Sequence, residues 1–281
     1  MPKLQLSFHA TFAFKKEDVI KTLQAASEEK ALDDSLENLM VRTGLGNKKV
    51  NPIIAWISRG GLIKDKHFTP EGEIVWKFDS RLKSIITDWL IHFYLSFGSQ
   101  GLNQIPEDPA VWGGWTYFIY DFIPKHLNFN TDELETNTQS IFSQDSSKSI
   151  SKNLRLMLRT YTEKEALKSI QFITKVNSDN KIDEYETGKA KLLNAYLIGY
   201  FLAKLWERDF NKETSVLTDD IINQKMGILP VLGIQSETLQ QHLNSMESLG
   251  IIEQRRTVTP YQIIRRWDDP LTLLEKAYVN N

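Results

Sequence analysis

Apolar positions fall into helical registers along most of the chain and alternate over only a few short runs. From Lys15 onward, Val19, Ile20, Leu23 and Ala26 share one helical face. Asp33-Asp34-Ser35 then suits a helix start, with Leu36, Leu39 and Met40 as its apolar side and Gly44 as its end. A further helix is predicted from about Asn47 to Arg59, with Val50, Ile53, Ile54 and Ile57 inward and Pro52 tolerated near the first turn. Leu4, Leu6 and Phe8 alternate with polar residues and predict a short strand. After Gly60-Gly61, two strand-like runs around Thr69-Pro70-Glu71-Gly72, reaching Trp76, complete the order of parts of a winged helix-turn-helix over residues 1–80.

Residues 81–180 read as a central helical region. Leu82, Ile85, Ile86, Trp89, Leu90, Phe93 and Leu95 support one long helix, and Val111 to Ile123 is dense in aromatic residues. Because Trp115, Phe118 and Phe122 recur at helical spacing, they are assigned to core rather than to a surface for stacking bases. His92, among apolar neighbours, is expected to be buried and hydrogen-bonded. Thr131 is expected to cap a helix, Ser140 to Ser151 to form a flexible serine-rich link, and Ser149 or Ser151 to begin the next helix.

Asn177-Ser178-Asp179-Asn180 breaks the pattern and sets a boundary near residue 180. In residues 181–281 an apolar helix over Lys189 to Phe210 precedes a short helix after Leu217-Thr218-Asp219-Asp220. A connection follows over Gly227 to Gly233, then a helix from Ser236 that Gly250 stops, then a hairpin over Ile251 to Arg266. This echoes the first module and predicts a second, winged-helix-like one. The fold class expected is mainly α with small β wings.

Composition narrows the chemistry. A formal charge of −2 over 281 residues excludes a protein that coats nucleic acid by charge alone, so contacts must come from local patches. With no cysteine, disulfides, thiolate clusters and cysteine nucleophiles are excluded. No His-x-x-x-His spacing, phosphate loop, nucleophile elbow or Asp/Glu/Lys nuclease constellation occurs, so no cofactor, metal ligand or catalytic residue is expected. No signal peptide is visible and the apolar runs are interrupted or too short to span ~30 Å of hydrocarbon, which predicts a cytoplasmic protein without a membrane partner.

Charge is polarised within the first module. Lys48, Lys49, Arg59, Lys64 and Lys66 oppose a single acid, Asp65, whereas Glu28 to Glu37 is strongly acidic. Recognition helices place their first turns at base edges and wings reach phosphate. Asn47, Lys48, Lys49 and Asn51 are therefore candidate helix contacts, with Arg59 at the helix end and Lys64, Lys66 and His67 in the wing. Arg255, Arg256, Arg265 and Arg266 form the equivalent patch in the second module, since guanidinium matches phosphate geometry. Double-stranded DNA is the expected partner of a non-enzymatic subunit or regulator. The alternative is a protein adaptor that docks a partner enzyme through the aromatic cluster of Trp112 to Phe122, its winged folds being structural.

In order along the chain, several short motifs stand together. They are His9-x-Thr-Phe12, Leu45-Gly46 before Lys48-Lys49-Val50, Trp56 with Gly60-Gly61-Leu62, and Phe68-Thr69-Pro70-x-Gly72. Further on come Asp79 with Trp89-Leu90-x-His92, Trp115 with Phe118, Arg159-Thr160-Tyr161, and Asp269-Pro270-Leu271 leading to Tyr278. With these the chain resembles, over nearly its full length, the bacterial family of domain of unknown function four thousand and seven. It departs from that pattern at Phe14-Lys15-Lys16, where an arginine and aromatic pair is expected. The resemblance implies a setting among sulfur-based DNA modification (phosphorothioation) and phage-defence genes, with a sulfurtransferase-like modification enzyme as a partner.

Overall fold

The computed structural model describes residues 4–98, 101–102, 105–176, 183–191 and 194–280. Helices dominate and the sheets are small and antiparallel, as the apolar periodicity predicts. The chain divides into two compact units, Met1–Gly101 with Asp108–Lys191 and Leu102–Glu107 with Leu192–Asn281. The break expected at residues 177–180, and with it the boundary near 180, lies outside the described residues.

The first unit opens with α1 (Lys16–Ala26), α2 (Leu36–Thr43) and α3 (Asn47–Arg59). The Ser35 hydroxyl accepts from the Asn38 N–H and starts α2, and Gly44 ends it at φ 65°, a left-handed conformation that glycine adopts without a Cβ penalty. Pro52 lies deeper inside α3 than predicted, buried on its core face. Residues 4–8 form no strand. They run as an irregular segment pinned where the Gly114 N–H donates to the Gln5 carbonyl at 3.2 Å. Beside it the Trp56 indole is fully buried, donating to the Phe12 carbonyl at 3.0 Å and stacking on His9 with ring centres 5.2 Å apart. Phe8, Phe14 and Trp115 meet Trp56 edge-on at 4.8, 5.4 and 5.4 Å, so this tryptophan organises the local core.

The hairpin differs from the predicted wing. Strands β1 (Ile63–Lys64) and β2 (His67–Phe68) pair around a tight turn of Asp65 and Lys66, both at positive φ. Thr69-Pro70-Glu71-Gly72 is not the hairpin tip but the start of α4 (Pro70–Asp79), which takes in Trp76. The Thr69 hydroxyl accepts from the Gly72 N–H at 2.9 Å and donates to the Gly61 carbonyl at 2.6 Å. Thr at the cap, Pro in the first turn and acids behind it are helix-start chemistry, which outweighs the turn reading of Pro and Gly.

Helix α5 (Ile85–Leu95) follows, its entry fixed by the Asp79 carboxylate, which accepts from the N–H groups of Lys83 and Ser84 and the Thr87 hydroxyl. The aromatic stretch is broken into a 3-10 turn (Pro109–Trp112), α6 (Gly114–Tyr117), a π-turn (Phe118–Phe122) and another 3-10 turn (Ile123–Lys125). Trp112, Trp115, Tyr117, Phe118 and Phe122 are all buried. That is core, as expected, and it corrects the idea that a partner docks on this cluster.

Strand β3 (Asn128–Asn130) leads into α7 (Thr131–Ile141), capped by the Asn130 side chain rather than by Thr131. Helix α8 (Ser147–Thr162) begins earlier than predicted, capped by Ser146, so the serine-rich stretch leaves only residues 142–146 as a connection between two packed helices. Strands β4 (Ile173–Val176) and β5 (Glu184–Thr187) complete a sheet of order β3-β5-β4.

The second unit holds α9 (Ala195–Asp209), β6 (Ser215–Leu217), α10 (Thr218–Ile222), α11 (Ile228–Leu232), α12 (Ser236–Ser248), β7 (Ile252–Arg255), β8 (Gln262–Arg265) and α13 (Pro270–Val279). The predicted hairpin is β7–β8, extended by β6 into a sheet of order β6-β8-β7, and a short helix replaces the expected connection at 227–233. α9 packs on α13 and α12, with Trp206 and Trp267 edge to face at 5.4 Å. No helix among the described residues is long and apolar enough to cross a membrane.

Candidate nucleic-acid interface

Gly46 precedes α3 in an extended conformation, no side chain caps the helix, and no acid occupies its first turn. The partial positive charge of the free N–H groups there is thus left uncancelled by the chain itself. Asn47, Lys48 and Asn51 are exposed on neighbouring helical positions, whereas Val50, Ile53, Trp56 and Ile57 face the core.

The basic residues around this turn are not equivalent. Lys49 Nζ lies 2.6 Å from the carboxylate of Asp18 on α1, which is buried. Arg59 is half-buried with its guanidinium over the Phe8 ring at 5.2 Å, and burial lowers its pKa. Lys66 at the hairpin turn reaches Asp33 at 2.7 Å, and this contact holds the Asp33 carboxyl below its ordinary value. The Leu32 N–H also donates to the Lys66 carbonyl at 3.1 Å, so the turn is latched to the acidic segment before α2. His67 Nδ1 donates to the Asp65 carbonyl at 2.9 Å within the same turn. Lys48 and Lys64 are exposed and have no ion-pair partner among the described residues.

In the second unit the arginines are largely matched by acids. Arg255 and Arg266 both contact the Glu253 carboxylate, lowering its pKa. Arg256 bridges to Glu247 at 2.7 Å and to Asn244 at 3.1 Å, on α12. Gln240 and Gln254 extend the same set, with Gln240 Nε2 donating to Gln254 Oε1 at 2.8 Å and Gln254 Nε2 to Glu247 at 3.1 Å. This network ties the polar side of α12 to the hairpin. Arg265 is half-exposed and has no ion-pair partner among the described residues. The sequence pattern did not single out the charge-matching acids Asp18 and Glu247, because Lys49 and Arg256 reach them from other elements, nor Glu253, which takes Arg255 from its own strand and Arg266 from beyond β8.

His92 and Arg159 resolve as structural. Trp115 Nε1 donates to the Tyr161 hydroxyl at 3.1 Å, and that hydroxyl lies 2.8 Å from His92 Nδ1. Arg159 engages Glu163 through two nitrogens one helical turn on. Among the described residues no group of three or more His, Asp or Glu side chains is placed to hold a metal ion.

The family model described as protein of unknown function (DUF4007) matches residues 6–278. The chain belongs to this family. No curated protein matches its sequence. Among solved structures, a magnesium ion-bound crystal structure of SspB superimposes with a TM-score of 0.72 at 16% identity, covering 98% of this chain and 87% of that one. A second SspB crystal structure gives 0.71 at the same identity and coverage. At that identity the likeness establishes a shared fold for this member of the DUF4007 family.

Proposed function

We propose that this protein is a non-enzymatic DNA-binding subunit or regulator of a sulfur-based DNA-modification or phage-defence system. The observation that carries the reading is the exposed, acid-free first turn of α3, where Asn47, Lys48 and Asn51 share a solvent face. In this reading α1 to α3 with β1–β2 act as a winged helix-turn-helix. Lys48 and the helix start meet the duplex, and Lys64 on the hairpin reaches the backbone. Lys49, Lys66 and Arg59 shape the surface through their protein contacts. Membership of the DUF4007 family supports the modification setting, through the associations the sequence resemblance implies.

Fluorescence-anisotropy titration of a labelled duplex at several salt concentrations tests this. Binding should weaken with salt, and Lys48→Ala should flatten the logarithmic salt slope by about 0.9 if it releases one phosphate contact. Absence of duplex binding would sink the reading, and magnesium-dependent nicking of supercoiled plasmid would overturn its non-enzymatic part.

A protein-docking reading has one observation of its own. Leu36 and Val41 on α2 are 42% and 79% exposed, whereas Trp112, Trp115, Tyr117, Phe118 and Phe122 are buried. A stable complex with a modification enzyme in the absence of DNA, lost on Val41→Asp, would favour it.

A further inference from the structure

An open cavity of about 410 Å³ lies in the first unit between the end of α8, the 3-10 turn Lys168–Ile170 and β4. Lys168, Lys175 and Lys191 line it, with no carboxylate among its described lining residues. The adjoining cavity of about 550 Å³ shares Thr162 and Lys175 with it, but there Arg155, Arg159 and Lys175 are set among the acids Asp132, Glu135, Glu163 and Asp183. The two compartments therefore differ in that acids accompany the cations of the second and none of the described lining residues of the first is acidic.

The backbone under these lysines is clamped. The Lys191 N–H donates to the Ile170 carbonyl at 2.8 Å, and the Lys191 carbonyl accepts from Trp89 Nε1 at 2.8 Å. Lys175 sits on a paired strand and is bridged to Asp183 at 2.6 Å. Lys168 and Lys191 are exposed without ion-pair partners among the described residues. Not every polar group in the wall can donate. The Ser169 hydroxyl is directed to Asp88, which Lys16 neutralises, and the Thr162 hydroxyl donates to the Leu158 carbonyl. Gln171 and Thr174 add neutral donors beside the ammonium groups.

From this geometry we infer a phosphoryl-anion site in which Lys168 and Lys191, helped by Lys175, Gln171 and Thr174, hold the phosphate of a nucleotide or of a nucleic-acid strand. The volume suits a small ligand, within the several-hundred-Å³ range of such pockets. The ammonium groups supply point charges around a tetrahedral oxyanion, and lysine does so without the fixed fork of arginine. The site is separate from the α3 surface and does not depend on duplex binding there.

Calorimetric titrations with inorganic phosphate, deoxyadenosine, deoxyadenosine 5′-monophosphate and a short oligothymidylate provide the test. At least one phosphorylated probe should bind and deoxyadenosine should not. Lys168→Gln with Lys191→Gln should weaken that binding at least tenfold. Equal affinity for phosphate and the mononucleotide would identify free phosphate as the ligand. Tighter binding of the oligothymidylate, with a salt slope that falls by about 1.4 in the double variant, would identify the strand. The single variants Lys168→Gln and Lys191→Gln serve if the pair disturbs the circular-dichroism spectrum. The inference is overturned if no phosphorylated probe binds, or if folded variants bind as the parent does.

Discussion

Lys49 Nζ lies 2.6 Å from Asp18 Oδ2, so of two adjacent lysines at the start of α3 one is a structural cation and its neighbour Lys48 has no ion-pair partner among the described residues. Removing Lys49 leaves a buried carboxylate without its partner. Lys49→Ala should lower unfolding free energy by about 1–3 kcal/mol, whereas Lys48→Ala should stay within about 0.5 kcal/mol. Urea denaturation of the two variants measures this, and equal stability would contradict the division of roles.

Two buried groups give opposing pH dependences. Burial pushes His9 down to about 4, so the folded state requires the neutral ring. Its contribution to stability is present above the unfolded value of 6.5 and is lost as pH falls toward 4. Burial pushes Asp88 up to about 6, against the opposing charge of Lys16 and the hydrogen bonds from Lys16 and Ser169. Its contribution is largest below 3.8 and is lost as pH rises through 6. His9→Phe, which keeps a ring against Trp56, should therefore lose less stability on acidification than the parent. Asp88→Asn should lack the parent's decline between those two pH values. Denaturant midpoints across this range read both slopes.

The Trp115 indole can only donate, so the Tyr161 hydroxyl accepts from it while sharing a second hydrogen bond with His92 Nδ1. Tyr161→Phe removes that hydroxyl and leaves a buried indole N–H and an imidazole nitrogen facing a ring edge. The expected cost is about 1–3 kcal/mol in chemical denaturation. Duplex affinity of the folded variant should match the parent, since Tyr161 is fully buried.

A Cβ on Gly72 would collide with the Leu62 carbonyl oxygen. Neither partner is a flexible chain end, so Gly72→Ala must shift α4 away from the hairpin. A loss of about 1–3 kcal/mol or more is expected in thermal or urea unfolding. An unchanged midpoint would show that the contact between α4 and Leu62, just before β1, tolerates expansion.

Much of this was legible in the chain itself. Val19 to Ala26, Leu36 to Met40 and Val50 to Ile57 announce α1 to α3 because local apolar spacing and capping residues act within a turn or two. Burial of the Trp112 to Phe122 cluster followed from its helical spacing, although its break into short turns did not. The hairpin turn at Asp65-Lys66 was misplaced because Thr69-Pro70 reads equally as a turn or a helix start until the Thr69 hydroxyl is seen bonding Gly72 and Gly61. What only the tertiary structure decided is which charges are free. Lys49 meets Asp18, Lys66 meets Asp33 and Arg256 meets Glu247 across separate elements, while Lys168 and Lys191 converge on one cavity from distant positions. Periodicity carries the local fold, but charge pairing over long separations depends on how elements pack, and no local pattern encodes it.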